Sequence, residues 1–522
     1  MLLNNPKLRS SINTLWKAFW SGGIANPLTA IEQITYLLFM KQLDKLDTER
    51  ERRAEFAGEK YDSLFKGNFE LPGIDGKPVK VPRSEMRWSF FKQLKADVML
   101  NHVQTKVFPF IKTLNGGTGP FTKHMASAVF LIPKPSLLVE SVNTIEEIYA
   151  ELEEDSKKGG HSFQDIQGDV YEYLLSEIAS AGKNGQFRTP RHIIKMIVEL
   201  VDPKPGDRIV DPACGTGGFL LEAHSYMKTK LLSAEELAKV QPDEDGFKRA
   251  SVSGKLTKKV KQTLDRSLHG FDFDQTMVRL GLMNLMMHGI DDPDIDYQDT
   301  LSKGFNAQNE YDVVLANPPF TGSLDKGDIN TMLKAGTKTE LLFVERIYHL
   351  LVNGGTAAVV VPQGVLTNAK SAFNYVRELI VTKCELKAVI YMPGGVFKPY
   401  AGVATSVLLF TKAGETENTL FYRMDGDGYT LDDKRTKQEG TGDLQDVIKS
   451  YRSKQVGDSA KKWFTVPRPS LKENGYSLDF ETYHQPEMPT VTFDSPHVVL
   501  ERLRTIEMDI MAEIESIQEA IK

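Results

Sequence analysis

The sequence predicts an α/β fold: a doubly wound sheet, with an N-terminal helical domain before it and a C-terminal helical tail after it. Three observations carry this reading. From His161 to about Lys412, short β-branched runs alternate with helical stretches, the signature of strand–helix–strand units. Residues 1–160 are instead mostly helical in pattern, with apolar residues at helical spacing. The tail Asp494–Lys522 has apolar residues at Leu500, Leu503, Ile506, Ile510, Ile514, Ile517 and Ile521, an average period of 3.5 residues.

The elements follow in order. Ile12–Leu46 is a strong helical stretch that Gly22, Gly23 and Pro27 split into two helices. Pro72–Pro82 is expected to be a loop, Val142–Asp155 an amphipathic helix, and Lys157–Gly160 a domain junction. Strands are expected at Arg208–Val210, Gly270–Phe273, Asp312–Ala316, Ala357–Val361, Lys387–Met392 and Ser406–Phe410, in a parallel sheet. Helices fit at Asp274–His288 and Glu340–Leu351. Thr229–Leu268 reads as an insertion whose Lys255, Lys258, Lys259 and Lys261 form a solvated surface. Residues 413–490 are polar, with a strand at Leu420–Arg423 and a loop at Gly426–Gly428. Asp494, Ser495 and Pro496 signal a helix start, and the 3.5-residue period of the tail suits pairing with a partner protein. The chain therefore divides into 1–160, 161–470 and 471–522.

Bulk properties exclude several classes. The 522 residues carry 64 Lys and Arg against 70 Asp and Glu, a net charge of −6. That argues against a strongly basic, free-standing nucleic-acid binder. The tail has seven acids and three bases, so most of the acidity lies there. Two cysteines, Cys214 and Cys384, cannot build a disulfide framework, and no metal-ligand spacing joins them to histidines, so no metal is expected. The N-terminus lacks a signal-peptide pattern, and no apolar run approaches the ~18–20 residues of a membrane span. A cytoplasmic chain without membrane contact is expected.

Three motifs carry chemistry. Asp211–Phe219, DPACGTGGF, follows a strand-like run, and its Gly215, Gly217 and Gly218 stand where a strand turns into a helix. Glycines there let the backbone approach a ligand. The chain has no GxxxxGK[ST] loop, so no nucleotide-driven motor is encoded by that motif. Gly270–Asp274, GFDFD, puts acids at a strand end, where doubly wound folds hold the ribose of a nucleoside cofactor. Asp272 and Asp274 both qualify. Asn317-Pro318-Pro319-Phe320 follows the apolar run Val313–Ala316. Two prolines end the strand, leaving the Asn317 side-chain oxygen and the Pro318 carbonyl as fixed acceptors beside a flat ring. Such a set suits a planar NH₂ group on an aromatic ring. His269, His288, Cys214 and the Met-rich Leu282–Met287 read as structural.

The ordered set DPACGTGGF, GFDFD, Asp299-Thr300-Leu301 and NPPF resembles the S-adenosylmethionine-dependent amino-methyltransferases of DNA, in the γ order. Gln186–Arg191, QFRTPR, resembles the cofactor segment that precedes the glycine motif in one branch of them, and Pro393–Phe410 adds a further match. With both helical ends, most of residues 8–522 is similar to the modification subunit of type I restriction–modification systems. The resemblance implies a methyltransferase sheet and transfer of a methyl group to N6 of an adenine flipped out of duplex DNA. It implies Asn317, Pro318, Pro319 and Phe320 as catalytic. It assigns Gln186, Phe187, Thr189 and Pro190 to the methionine end of the pocket, with help from Asp211. Gly215, Thr216 and Gly217 would underlie the cofactor, Asp272 would hold its ribose and Asp299 its adenine. Arg188 departs from the aromatic residue common at that position. Implied partners are double-stranded DNA, a specificity subunit bound by two copies of this chain, and an ATP-dependent restriction subunit. Protein glutamine or RNA guanine methylation, and a non-catalytic scaffold, are the alternatives.

Overall fold

The computed structural model describes residues 6–73, 77–114, 119–159, 189–250, 256–485 and 494–521. The N-terminal region opens with helices α1 (Pro6–Ser21) and α2 (Pro27–Ala57). The break between them is local chemistry. Asn26 caps α2, its Oδ1 accepting from the Leu28 and Thr29 amides at 2.9 and 3.3 Å, and Pro27 occupies the first turn. A hairpin follows, β1 (Asn68–Pro72) paired with β2 (Pro78–Pro82). It replaces much of the loop expected at Pro72–Pro82. Its strands are short, largely exposed and bounded by Pro72, Pro78 and Pro82, which reads as loop although Phe69, Leu71, Val79 and Val81 alternate. Helices α3 (Pro120–Met125) and α4 (Pro135–Gly159) complete the region. α4 runs through the expected junction as far as Gly159.

Helix α5 (Arg191–Val201) leads into β3 (Ile209–Asp211), α6 (Gly218–Lys230), α7 (Lys258–Arg266), β4 (Leu268–Asp272), α8 (Gln275–Met287), β5 (Asp294–Tyr297) and β6 (Tyr311–Ala316). Then come α9 (Thr339–Leu350), β7 (Leu351–Pro362), α10 (Ser371–Lys383), β8 (Cys384–Met392), β9 (Thr405–Lys412), β10 (Asn418–Arg423), α11 (Leu444–Ser453), β11 (Trp463–Pro467) and the tail helix α12 (Pro496–Ile521).

Strands β3–β11 form one nine-stranded sheet in the order β11-β10-β8-β9-β7-β6-β3-β4-β5. It is mixed, which corrects the expectation of a parallel sheet. β9 lies antiparallel between β7 and β8, and β11 is antiparallel at the edge. The connection from β8 to β9 holds no crossover helix, so the chain returns in the opposite direction. The two edge strands, β5 and β11, escape sequence reading because each is short and β5 is studded with acids, as edge strands often are.

Side chains alternate across the sheet. Ile209, Val313 and Leu315 face α5, α6, α8 and the N-terminal helices, in one continuous core. Val210, Val314 and Ala316 face α9 and α10. The N-terminal region is tied to the sheet unit by a buried ion pair. Arg279 of α8 donates through Nε to Glu32 of α2 at 2.6 Å, and Tyr36 donates to the same carboxylate at 2.7 Å. Lys123 and His124 reach Asp296 on β5 at 2.8 and 2.7 Å. Among the described residues, no helix is long and apolar enough to cross a membrane.

Candidate active site at the reversal of strand order

The chain leaves β3 in one direction, through β4 to β5, and then returns to place β6 on β3's other side. Open α/β sheets bind ligands at the carboxyl ends of strands flanking such a reversal. Here those ends carry the predicted residues. β3 ends in Asp211 and β4 in Asp272; Asp299 follows β5 and Asn317 follows β6.

The glycine turn is locked on one side and open on the other. Gly217 caps α6 with φ of +78°, and a Cβ there would lie 2.5 Å from Leu285 of α8. Gly215 has φ of +52°, and a Cβ there would meet nothing within 4 Å. The turn is braced by Asn284 Nδ2, which donates to the Thr216 carbonyl at 2.8 Å, and by the Thr300 hydroxyl, which donates to the Pro212 carbonyl at 3.1 Å. The Gly215 amide donates to Asp272 Oδ2 at 2.9 Å.

The acids divide their work. Asp274, the other candidate, lies past the end of the strand that carries Asp272. It caps α8, its Oδ1 accepting from the Thr276 and Met277 amides. Asp272 accepts from Gly215 and, through Oδ1, from the Asp274 amide at 2.8 Å, and burial raises its pKa despite these donors. Asp211 is 1% exposed, and its Oδ1 accepts from the Ala213 amide at 3.1 Å. Burial first, and the neighbouring Asp272 second, push its carboxyl up to about 8. Asp299 Oδ1 accepts from the Leu301 amide at 2.9 Å.

Asn317 Nδ2 donates to Thr189 Oγ1 at 2.8 Å. Among the described residues, its buried Oδ1 has no hydrogen-bond partner. Phe320 is 4% exposed and packs edge to face on Phe397, with ring centres 5.6 Å apart. Pro318 is buried and Pro319 half-buried beside them. Of the upstream segment, Thr189 reaches Asn317 and Pro190 precedes α5 as its cap residue. Gln186, Phe187 and Arg188 lie outside the described residues.

Sequence reasoning missed Asn284, the one polar residue in the buried run Leu282–Met287, and that isolation was its signal. It missed Phe273, 67% exposed just past the end of β4, and Phe397. His269 pairs with Asp294 at 2.7 Å, His288 bonds the Asn284 carbonyl, and burial raises the Cys214 thiol. Among the described residues, no group of three or more His, Cys, Asp or Glu could hold a metal.

These residues fit a nucleoside bearing a cationic centre. The glycine turn has an open side, Asp211 is a buried carboxyl short of a counter-charge, and two further acids stand at neighbouring strand ends.

Comparison with known proteins agrees with the geometry. The type I restriction enzyme EcoEI methylase subunit of Escherichia coli is 29% identical over 416 residues, covering 77% of this chain and 74% of that subunit. The StySPI methylase subunit of Salmonella potsdam is 30% identical over 331 residues, covering 60% of this chain, which spans 57% of that subunit. The methyltransferase subunit of a type I restriction-modification system from Streptococcus thermophilus has the same fold, with a TM-score of 0.62 at 19% identity, over 92% of this chain and 100% of that one. The HsdM N-terminal domain model matches residues 8–145, and the N-6 DNA methylase model matches residues 162–490. The chain thus belongs to the N-6 DNA methylase family and carries the HsdM N-terminal domain ahead of its catalytic sheet.

Proposed function

We propose that the chain is the modification subunit of a type I restriction–modification complex and transfers a methyl group from S-adenosylmethionine to N6 of adenine in double-stranded DNA. The observation that carries this is the buried, unpartnered Oδ1 of Asn317 at the strand-order reversal. An orphaned buried acceptor costs about 1–3 kcal/mol, and an exocyclic amine relieves it by donating a proton there.

The adenine amine is a poor nucleophile because its lone pair is delocalised into the ring. Asn317 Oδ1 and the Pro318 carbonyl accept hydrogen bonds from its two N–H groups, favour a pyramidal nitrogen and aim its lone pair. S-adenosylmethionine, when bound, supplies a methyl group already activated by positive sulfur. The chain's task is therefore positioning and electrostatics. Asp211 with Gln186, Phe187 and Pro190 takes the methionine end. Gly215, Thr216 and Gly217 support the cofactor, Asp272 faces the ribose and Asp299 the adenine. Phe273 offers an exposed ring beside Asp272. Flipping the target base costs a few kcal/mol, partly offset by stacking on Phe320 and Pro319; a base reaches Phe320 only when a neighbour yields.

The division into 1–160, 161–470 and 471–522 assigns the ends to interactions. α12 buries none of its side chains, and Leu503, Ile506, Ile510 and Ile514 all stand exposed. At ~1.5 Å per residue it is about 39 Å long, which supports pairing with a specificity subunit that reads DNA. Two copies of the chain flank that subunit, and an ATP-dependent restriction subunit joins the complex. The test is transfer of labelled methyl from the cofactor to DNA, RNA and protein. Label in N6-methyladenine of DNA is expected; label confined to RNA or protein would overturn the reading. Robust site-specific methylation by the chain alone would overturn the need for a specificity subunit.

A further inference from the structure

Thr189 is expected, by resemblance, to contact cofactor. In the structure its buried hydroxyl is instead the partner of the Asn317 amide, at 2.8 Å. Three residues on from Thr189 the chain enters a second buried cluster. Pro190 accepts from the Ile193 and Ile194 amides at 3.0 Å and starts α5. His192, in that first turn, bonds through Nε2 to Asp427 Oδ2 at 2.8 Å, and its ring stacks on Tyr429 with centres 4.3 Å apart at 16°. Asp427 is 0% exposed. The same carboxylate oxygen takes Arg435 Nη2, and Arg435 Nη1 donates to the Thr430 carbonyl at 2.6 Å.

All of these partners come from the segment between β10 and α11, 235 residues from His192. Among the described residues, the buried Asp427 Oδ1 has no hydrogen-bond partner. A buried acid satisfied on one oxygen only is a poor device for stability. It is a good device for fixing one segment against another.

We propose that Thr189 is a positioning residue for Asn317, and that the His192–Asp427–Arg435 chain sets it in place. The inference rests on the methyl-transfer reading above. With Thr189 accepting from Nδ2, the Asn317 amide presents Oδ1 to the incoming amine. Without that acceptor the amide turns over and presents its own N–H donors, which repel an amine. The segment after β10 thereby becomes part of the catalytic apparatus without touching either substrate.

The test uses the full chain assembled with its specificity subunit, with cofactor affinity measured separately by calorimetry. Thr189→Val lowers kcat about tenfold, the worth of one hydrogen bond, and leaves the cofactor dissociation constant within about twofold. Thr189→Ser restores kcat. Asp427→Asn lowers kcat and adds little to Thr189→Val, because both act through one geometry. Should Asp427→Asn fail to fold, Tyr429→Leu, which removes the stacked ring and leaves the ion pairs, takes its place in that comparison. Equal losses of kcat and cofactor affinity in Thr189→Val would make Thr189 a cofactor residue and overturn the proposal, as would an unchanged kcat. Full additivity of the two substitutions would detach the cluster from Asn317. Wild-type protein that labels no DNA would instead overturn the methyl-transfer reading itself.

Discussion

Replacing Asp211 by Asn tests how the pocket meets a cation. The amide keeps an acceptor for the Ala213 amide and nearly the same volume, so the perturbation is loss of ionisation. In the wild type, burial and Asp272 push the carboxyl up to about 8, from an ordinary value near 4. At about 1.4 kcal/mol per unit, the empty pocket disfavours the charged carboxylate by roughly 6 kcal/mol more than water does. A bound positive group reverses that preference, and the proton must leave. At pH 7 an acid titrating near 8 is about nine-tenths protonated, so binding releases roughly 0.9 proton. Calorimetry in two buffers of different ionisation enthalpy counts it. Cofactor affinity should rise as pH climbs from 6 to 8, by up to about tenfold per unit, and flatten above. The Asp211→Asn variant should bind more weakly and with no such slope. The sign for folding is opposite. The raised pKa gives the ligand-free fold a stability that is fully present below the unfolded value near 4 and is lost as pH rises through about 8. Wild-type protein should therefore lose melting temperature between about pH 5 and 8 relative to the Asp211→Asn variant. Wild-type binding that releases no proton and is flat in pH would refute the reasoning.

Asn317→Ala should abolish methyl transfer and leave cofactor affinity nearly intact if the proposed contact of Oδ1 with the amine holds; equal loss of both, by calorimetry and labelled transfer, would mean the role is misassigned. Arg279→Met strands Glu32 and Tyr36 in the join between α2 and α8, and should cost about 3–5 kcal/mol in denaturant unfolding; a cost under about 1 kcal/mol would show that the pair is not buried in solution. Removing residues 494–522 deletes a helix with no buried side chain, so the melting temperature should hold while co-purification with the specificity subunit is lost; a large fall in melting temperature would show that the tail packs on its own chain.

Parts of this site were legible because they answer to local backbone rules. A turn that needs φ of +78° against Leu285 calls for glycine at 217, and a strand that stops at Pro318-Pro319 shows in the chain itself. Asp272 was legible as a strand-end acid, whereas Asp274 stayed a second candidate because a capping acid and a strand acid look alike until the helix start is seen. The C-terminal helix and both N-terminal helices were written in periodicity and caps.

Other features had no local signal. The antiparallel course of β9 depends on where its neighbours lie, since a β-branched run reads the same in either direction. The bond from Asn317 to Thr189 spans 128 residues, and the one from His192 to Asp427 spans 235. No spacing rule reaches so far. The amino-acid sequence alone therefore determined which groups stand at the turns and strand ends of this sheet, because dihedral preference, strand termination and helix period act within a few residues. Only the tertiary structure decided how they are placed: which end of the Asn317 amide is held by Thr189, which acid is buried enough to hold a proton, and which distant segment packs beside them. Burial and hydrogen-bond pairing are properties of neighbours in space, and the sheet chooses those neighbours.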